Sequence, residues 1–280
     1  MQKSIRKYFA LFALPTLIAF TLAFLIPFIL GVYLSFTEFT TVSDAKWVGV
    51  SNYIKAFSNQ DFLNALWFTV KFTVVSVISI NVFAFLLASL LTRGRKGTNG
   101  FRTIFFMPNL IGGIVLGYIW QLIINGVLYK FDVTLTFSAK YGFWGLVVLM
   151  NWQLIGYMMI IYIAGLQNVP KDLIEVAKID GANRFHLLRN VTLPLIMPSI
   201  TICLFLTLSN SFKLFDQNLA LTAGAPSKQT SMLALDIFNT FYGKTGWEGV
   251  GQAKAVIFLV IVAIIAIAQV MLTRSKEVEN

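Results

Sequence analysis

Residues 170–194, PKDLIEVAKIDGANRFHLLRNVTLP, form a charged segment between two long apolar runs. Asp172 and Glu175 lie early in this segment, where acidic side chains complement the positive end of a helix dipole. Gly181 can adopt the left-handed conformation that ends many helices, and Pro194 suits the first turn of a new one. The segment therefore predicts a short two-part helix between two longer apolar helices.

The first part of this predicted helix has one apolar stripe, formed by Leu173, Ile174 and Ala177. Asn168 is a candidate N-cap for it. A narrow apolar stripe bordered by charge suits either a membrane surface or a groove on another protein. The mixed sign of the neighbouring charges favours the groove, because an anionic membrane surface prefers basic residues.

The flanking apolar runs belong to a membrane protein. Of the 280 residues 57% are hydrophobic and 12% are charged, and the mean hydropathy is +0.76. An apolar helix crosses the roughly 30 Å of hydrocarbon with about 20 residues, and six runs are long enough. These runs are Leu11–Leu34, Val70–Leu91, Ile104–Val127, Trp144–Leu166, Leu193–Leu219 and Ala255–Leu272. We expect an all-α polytopic fold, with one further short amphipathic helix around Ser231–Phe241.

The orientation of this fold follows from its basic residues, which are enriched on the cytoplasmic side of membrane proteins. Thirteen of them fall on the side that carries both termini and residues 170–194, and six fall on the other side. We therefore expect both termini in the cytoplasm. The first set is Lys3, Arg6, Lys7, Arg93, Arg95, Lys96, Arg102, Lys171, Lys178, Arg184, Arg189, Arg274 and Lys276; the second is Lys46, Lys55, Lys130, Lys140, Lys228 and Lys244. Lys254, at the outer end of the last run, is expected to reach water by snorkelling.

Several function classes are disfavoured. The net charge of +10 is spread over short loops instead of forming the basic stripe of a nucleic-acid-binding protein. Cys203 and His186 are the single cysteine and histidine, so neither a disulfide framework nor a metal site is expected. The sequence holds no acid, base and nucleophile cluster and no GxxxxGK[ST] loop, which predicts no catalytic site and no ATP site of that type.

Polar residues inside membrane helices are costly and mark candidate functional positions. The candidates of this kind within the predicted runs are Asn81, Asn151, Gln153, Tyr157, Thr207, Ser209, Asn210, Ser211, Lys213, Asp216, Gln217 and Asn218. The candidate pathway residues among them are Asn151, Gln153, Tyr157, Thr207, Asn210 and Ser211. Gln153 with Tyr157, and Thr207 with Ser211, have the i, i+4 spacing that places two side chains on one helix face. Such faces could contact an uncharged sugar, or they could hydrogen-bond between helices. Physical reasoning alone favours hydrogen bonding between helices.

A family resemblance bears on both groups of residues. The pattern Glu175-x-Ala177-x-x-x-Gly181, followed by Val191-x-Leu193-Pro194, resembles the EAA signature of membrane subunits of ATP-binding-cassette importers. Val176 stands where that family usually has a second alanine. The longer match over residues 170–195 resembles the binding-protein-dependent carbohydrate-uptake branch in particular.

This resemblance implies a single permease domain with a MetI-like transmembrane core at about residues 65–273. Residues 1–64 would form the first helix and an external loop, and residues 169–190 a cytoplasmic coupling-helix loop. The residues implied in coupling to the ATPase are Leu173, Ile174, Glu175, Ala177, Asp180 and Gly181. The resemblance also implies that the polar residues of the fourth and fifth runs line a sugar pathway.

The resemblance further implies the partners. These are a second permease, two cytoplasmic ATPases that bind Mg-ATP, an external solute-binding protein, membrane lipid and a carbohydrate substrate, in a prokaryotic cytoplasmic membrane; this chain would bind no cofactor itself. The alternative is an autonomous secondary transporter or channel for a small neutral solute. Such proteins normally carry a charged residue at mid-depth for ion coupling, and no carboxylate lies there in this sequence.

Overall fold

The computed structural model describes residues 11, 13–92 and 97–275. In that part of the chain five helices are long and apolar enough to cross a membrane, or six if a pair bent by 73° counts as one span. The all-α polytopic prediction is therefore confirmed. Lys3, Arg6, Lys7, Arg93, Arg95, Lys96 and Lys276, which support the predicted orientation, lie outside the described residues.

The elements divide into two compact units, one running to Phe62 and including Ile237–Leu259, the other comprising Leu63–Asp236 and the chain from Val260 onward. The strands are β1 (Thr37–Glu38) and β2 (Lys46–Trp47). The helices up to the charged segment are α1 (Ala13–Leu34), α2 (Ser51–Phe57), α3 (Gln60–Leu91), α4 (Thr98–Phe106), α5 (Gly113–Leu128) and α6 (Ala139–Gln167). The remaining helices are α7 (Lys171–Ile179), α8 (Arg184–Leu195), α9 (Met197–Phe212), α10 (Asp216–Leu221), α11 (Leu233–Gly243) and α12 (Glu248–Arg274).

The first unit has α1 and a small β-hairpin beside it. No residue in the most apolar 18-residue stretch of α1 is buried by the chain itself. The hairpin pairs Thr37 with Trp47 in antiparallel register. Its turn is held by Asp44, whose carboxylate accepts hydrogen bonds from the backbone of Thr41 and Thr40 at 3.0 Å each, and these bonds lower the pKa of Asp44.

A buried amide and a buried cation organise the same unit. The side-chain amide of Asn52 donates to the carbonyls of Ser35 and Thr37 at 3.1 and 2.8 Å. Lys254 is fully buried, and its ammonium donates to Thr240 at 2.8 Å and to Asn59 at 3.3 Å. The snorkelling prediction for Lys254 is wrong, because these side-chain oxygens solvate the charge inside the protein.

The core of the second unit is α6, in which 61% of the residues in its most apolar 18-residue stretch are buried. Two glycines allow other backbones to approach it. A Cβ at Gly156 would lie 1.8 Å from the carbonyl oxygen of Phe105 in α4, and one at Gly165 would lie 2.3 Å from the hydroxyl of Ser199 in α9. Both contacts therefore require the absence of a side chain on α6.

The prediction that the third apolar run, Ile104–Val127, forms one helix is wrong. The chain forms α4, a 3₁₀ turn at Met107–Leu110 and then α5. Pro108 lacks the N–H that would continue the helical hydrogen bonding, and Gly112 is extended with ψ 140°. The membrane-crossing helix therefore begins only at Gly113.

The fifth run, predicted as Leu193–Leu219, is also interrupted. The chain bends by 73° between α8 and α9, at Ile196, where Pro194 and Pro198 each remove a backbone donor. After α9 it leaves the helix at Lys213 and resumes as the separate α10. The amphipathic helix predicted around Ser231–Phe241 is confirmed as α11, displaced by two residues.

The connection after α10 folds around a buried asparagine. Asn218 is fully buried, and its amide nitrogen donates to the hydroxyl of Thr222 at 2.9 Å and to the carbonyl of Thr230 at 2.8 Å. Its amide oxygen accepts from the backbone N–H of Met232 at 2.9 Å. The side chain of Asn218 thus joins the start of the connection to its end, just before α11.

Candidate functional site

The charged segment forms the predicted two-part helix, α7 followed by α8. The capping prediction for Asn168 is wrong. Asn168 is the C-cap of α6, and its backbone N–H bonds to the carbonyl of Gly165. Pro170, with ψ 128°, occupies the N-cap of α7 without a side-chain hydrogen bond. Asp172 in the first turn of α7 still complements the helix dipole.

A Schellman motif ends α7. The backbone N–H of Ala182 bonds to the carbonyl of Ala177 at 2.9 Å, and that of Gly181 bonds to the carbonyl of Lys178 at 3.1 Å. Gly181 has φ +83°, and a Cβ there would meet nothing within 4 Å. Glycine is needed at this position for its backbone conformation and not for space.

Asn183 starts α8 immediately after the turn. Its side-chain oxygen accepts the backbone N–H of His186 at 2.9 Å, which satisfies one of the unpaired donors at the start of a helix. Only Gly181, Ala182 and the capping residues separate the two helices. The segment is therefore stiff, with defined hydrogen bonds on both sides of its turn.

The apolar face that α7 exposes differs from the predicted stripe. Leu173 is 46% exposed, as expected, but Ile174 and Ala177 are half-buried. The exposed apolar residues beside Leu173 are instead Val176 at 55% and Ile179 at 85%. We call Leu173, Val176 and Ile179 the α7 stripe. Their i, i+3 spacing was visible in the sequence, but the direction from which the rest of the chain covers the helix was not.

Glu175 lies at the edge of this stripe, whereas Asp172 lies within its arc, between Val176 and Ile179 around the helix axis. Asp172, Glu175 and Asp180 are all exposed. At 3.6 residues per turn Glu175 lies roughly 40° from Ile179 around the helix axis. The α7 stripe thus offers an apolar contact with a carboxylate at its edge, which can bind a complementary groove that contains a basic residue.

The polar residues of α6 and α9 lie at matching levels. Gly165 contacts Ser199, and the thiol of Cys203 lies 3.7 Å from the carbonyl of Met158, so the two helices run side by side in opposite directions. Tyr157 lies eight residues from Gly165, and Thr207 lies eight residues from Ser199. At 1.5 Å per residue both are roughly 12 Å from that contact. By the same measure Gln153 and Ser211 are both roughly 18 Å from it.

The Thr207 hydroxyl takes part in a buried three-helix network. Asn81 of α3 donates to Thr207 at 3.0 Å, and the hydroxyl of Tyr162 on α6 donates to the amide oxygen of Asn81 at 2.7 Å. All three side chains are buried. This arrangement is the interhelical bonding that physical reasoning alone favoured for Thr207. Tyr162 was missing from the predicted set, because the sequence gives no local sign that its hydroxyl bonds to Asn81 of another helix.

Asn151 and Gln153 also have partners on other elements. The amide of Asn151 donates to the hydroxyl of Ser79 at 2.9 Å, and Gln217 donates to the amide oxygen of Gln153 at 2.8 Å. Ser211 is fully buried. Its hydroxyl oxygen has no hydrogen-bond partner in the part of the chain that the structure describes.

Three residues of the predicted pathway set are not buried, and one of them, the half-buried Asn151, is bonded to Ser79. Tyr157 is half-buried, with its ring 6.3 Å from that of Phe106, and Asn210 is exposed. Across the described ranges, no group of three or more histidine, cysteine, aspartate or glutamate residues could hold a metal ion. The accessible polar surface of α6 and α9 is thus neutral and partly aromatic.

Comparison with known proteins agrees with this architecture. Residues 80–278 match the family described as "Binding-protein-dependent transport system inner membrane component". The chain is 46% identical to the probable starch degradation products transport system permease protein AmyD of Thermoanaerobacterium thermosulfurigenes, over 97% of this chain and 96% of the relative. It is 29% identical to the trehalose/maltose transport system permease protein MalF of Thermococcus litoralis, over 80% and 79% of the two chains.

The fold is similar to that of a chain in a crystal structure of a bacterial ABC transporter involved in the import of the acidic polysaccharide alginate. The TM-score is 0.80 at 19% identity, and the match covers 98% of both chains. The expected family resemblance is thus confirmed over nearly the whole length. This multi-pass membrane protein belongs to the family of binding-protein-dependent transport system inner membrane components.

Proposed function

We propose that this chain is one of two permease subunits of an ATP-driven importer for neutral oligosaccharides, with the α7 stripe as its contact to the ATPase. The observation that carries the proposal is α7 itself. It is a short, firmly ended helix between two apolar helices, and it exposes three large apolar side chains beside Glu175. Lipid alone would not require a carboxylate at the edge of such a stripe.

The coupling residues have separate roles in this proposal. Leu173, with Val176 and Ile179, fills an apolar groove of a cytoplasmic ATPase, and Glu175 pairs with a basic residue beside that groove. Ile174 and Ala177 fix the seating of α7 on this chain, because they are half-buried. Asp180 and Gly181 provide the turn that redirects the chain into α8.

ATP-driven closure of the ATPases would then displace α7 and change the side from which the pathway is open. Mg-ATP is bound by the partner subunits, and this chain has no ATPase activity of its own. Both termini and α7 lie in the cytoplasm, and an external binding protein delivers the substrate on the other side.

The sugar pathway runs along α6 and α9. Tyr157 offers an aromatic platform and Asn210 offers hydrogen-bonding groups, both suited to an uncharged sugar ring. Asn151, Gln153, Thr207 and Ser211 position these helices beside the pathway, because their side chains are bonded within the bundle or buried in it. The relatives named for starch products and for trehalose and maltose support a glucose-based oligosaccharide as the substrate class.

The test uses the complete transporter in liposomes, with maltodextrin as the probe. Glu175→Lys should abolish maltodextrin-stimulated ATP hydrolysis and uptake, since it places a cation against the basic residue of the ATPase. Lys178→Glu is the control, because it reverses a charge on an exposed residue of the same helix roughly 160° around the axis from Val176, the middle residue of the α7 stripe, and it should leave coupling intact. Normal coupling in the Glu175→Lys complex would refute the assignment of α7.

A second arm separates this proposal from the autonomous transporter. The purified chain, alone in liposomes, should carry no maltodextrin, and uptake should appear only after the partner subunits and ATP are added. Flux through the chain alone would favour the secondary transporter or channel.

A further inference from the structure

The short helix α2 has three distinct faces. Asn52 and Ala56 are buried against the first unit. Lys55 and Ser58 are exposed and polar. The third face is apolar and exposed, with Val50 at 60%, Ile54 at 63% and Phe57 at 53%. At 100° per residue the centres of the three faces lie roughly 100–150° apart around the helix axis.

An aromatic cluster lies beside α2, at the end of α1. The ring of Trp47 lies 5.4 Å from that of Phe36 and 6.0 Å from that of Tyr33. The ring of Tyr53 on α2 lies 5.1 Å from that of Phe36, and its hydroxyl lies 2.6 Å from that of Ser35. Trp47 and Tyr33 are 63% and 49% exposed. Tryptophan and tyrosine at the end of a membrane helix mark the headgroup level, so α2 is joined to the part of α1 that lies there.

The chain path holds α2 at that level. Only residues 35–50 separate α1 from α2, and within them the β-hairpin folds back, so that Asn52 bonds directly to the carbonyls of Ser35 and Thr37. No residue in the most apolar stretch of α1 is buried by the chain itself. Asn52 and Tyr53 therefore hold α2 next to the end of a helix whose surface requires lipid or another membrane helix.

From these faces and this position we infer that α2 is an interfacial helix, whose apolar face, Val50, Ile54 and Phe57, inserts into the outer leaflet of the bilayer. A helix at the junction of protein, water and lipid needs one face for each, and α2 has all three. A surface that binds a water-soluble partner would instead have polar and apolar side chains mixed on the same face of the helix. Lys55 and Ser58 point roughly 100° away from the apolar face, towards the headgroups and water.

The test measures the surroundings of single side chains by spin labelling. Cys203 is the one cysteine and is fully buried, so it can remain in place. Ile54→Cys, Phe57→Cys and, as control, Lys55→Cys are labelled with a nitroxide in the full chain. The host vesicles contain phosphatidylethanolamine and phosphatidylglycerol at three to one. Collision with oxygen, which concentrates in lipid, is compared with collision with a water-soluble nickel chelate.

We expect the oxygen-to-nickel collision ratio to be severalfold higher at residues 54 and 57 than at residue 55. Equal, water-like ratios at all three positions would overturn the inference. It would also be overturned if residue 54 were shielded from nickel only after an external binding protein was added, since the face would then belong to that protein. Neither result depends on transport activity, so the outcome is independent of the proposed function.

Discussion

Gly156→Ala tests how closely α6 packs within its unit. A Cβ at this position would lie 1.8 Å from the carbonyl oxygen of Phe105 and 2.2 Å from its carbonyl carbon. Ordinary contact begins near 3.4 Å, so one backbone would have to move by about 1.6 Å. The obstacle is backbone and not the end of a flexible side chain, so rotamer changes cannot relieve it.

The free-energy cost follows from two opposing terms. Overpacking of a close contact costs about 1–3 kcal/mol, and the rigid neighbour places this contact towards the upper end. Replacing glycine by alanine within a helix recovers up to about 1 kcal/mol. We expect a net loss of about 1–2 kcal/mol, which corresponds to a fall in Tm of several degrees for a chain of this size.

The matched control is Gly126→Ala in α5, where a Cβ would meet nothing within 4 Å. This variant should be as stable as the parent chain or slightly more stable. The Tm values of both variants and of the parent chain are measured in the same detergent and at one scan rate, because membrane proteins often unfold irreversibly. A Gly156→Ala chain with unchanged Tm would refute the close approach of α6 to α4.

Three further substitutions test other parts of the structure. Gly181→Val, at φ +83°, should lower substrate-stimulated ATP hydrolysis more than Gly181→Asn does, because asparagine tolerates left-handed backbone; equal activity of the two would contradict this. Asn218→Ala should speed tryptic cleavage after the exposed Lys228 severalfold, whereas Asn210→Ala should leave the rate unchanged; equal rates would show that the buried amide does not hold the connection. Tyr162→Phe should lower the free energy of unfolding by about 0.6–1.7 kcal/mol, because it removes the hydrogen bond that the Tyr162 hydroxyl donates to the side-chain amide of Asn81. Thermal unfolding measures this change, and an unchanged stability would exclude the bond.

Hydropathy predicts which parts of this chain are apolar helices, but not where those helices break. The first, second, fourth and sixth runs form single long helices, because continuous apolar sequence satisfies its backbone hydrogen bonds locally. The third run is interrupted at Pro108 and the fifth at Pro194 and Pro198, and the fifth also carries Lys213 and Asp216 where α9 ends and α10 begins. The prolines were visible in the sequence. The size of the resulting bend depends on packing against neighbouring helices, which a hydropathy window does not contain.

The charged segment shows the same division between local and tertiary information. Its turn could be predicted, since Gly181 forms a local motif whose hydrogen bonds all lie within a few residues. The exposed stripe could not. The periodicity of α7 allows either Ile174 with Ala177 or Val176 with Ile179 beside Leu173, and the rest of the chain decides which pair it covers.

The connections of the charged segment restrict how α7 can transmit motion. It is joined to α6 at one end and, through α8, to α9 at the other, and α6 contacts α9 through Gly165 and Ser199. Asn81 adds a second link, because it bonds to Tyr162 of α6 and Thr207 of α9 at once. In the proposed transport cycle a force on α7 therefore reaches two helices that are already joined, and it would displace them together with α3. If α7 moved without the bundle, the contact between α6 and α9 would have to break, whereas a rigid shift keeps both links intact and moves Tyr157 and Asn210 together as one body.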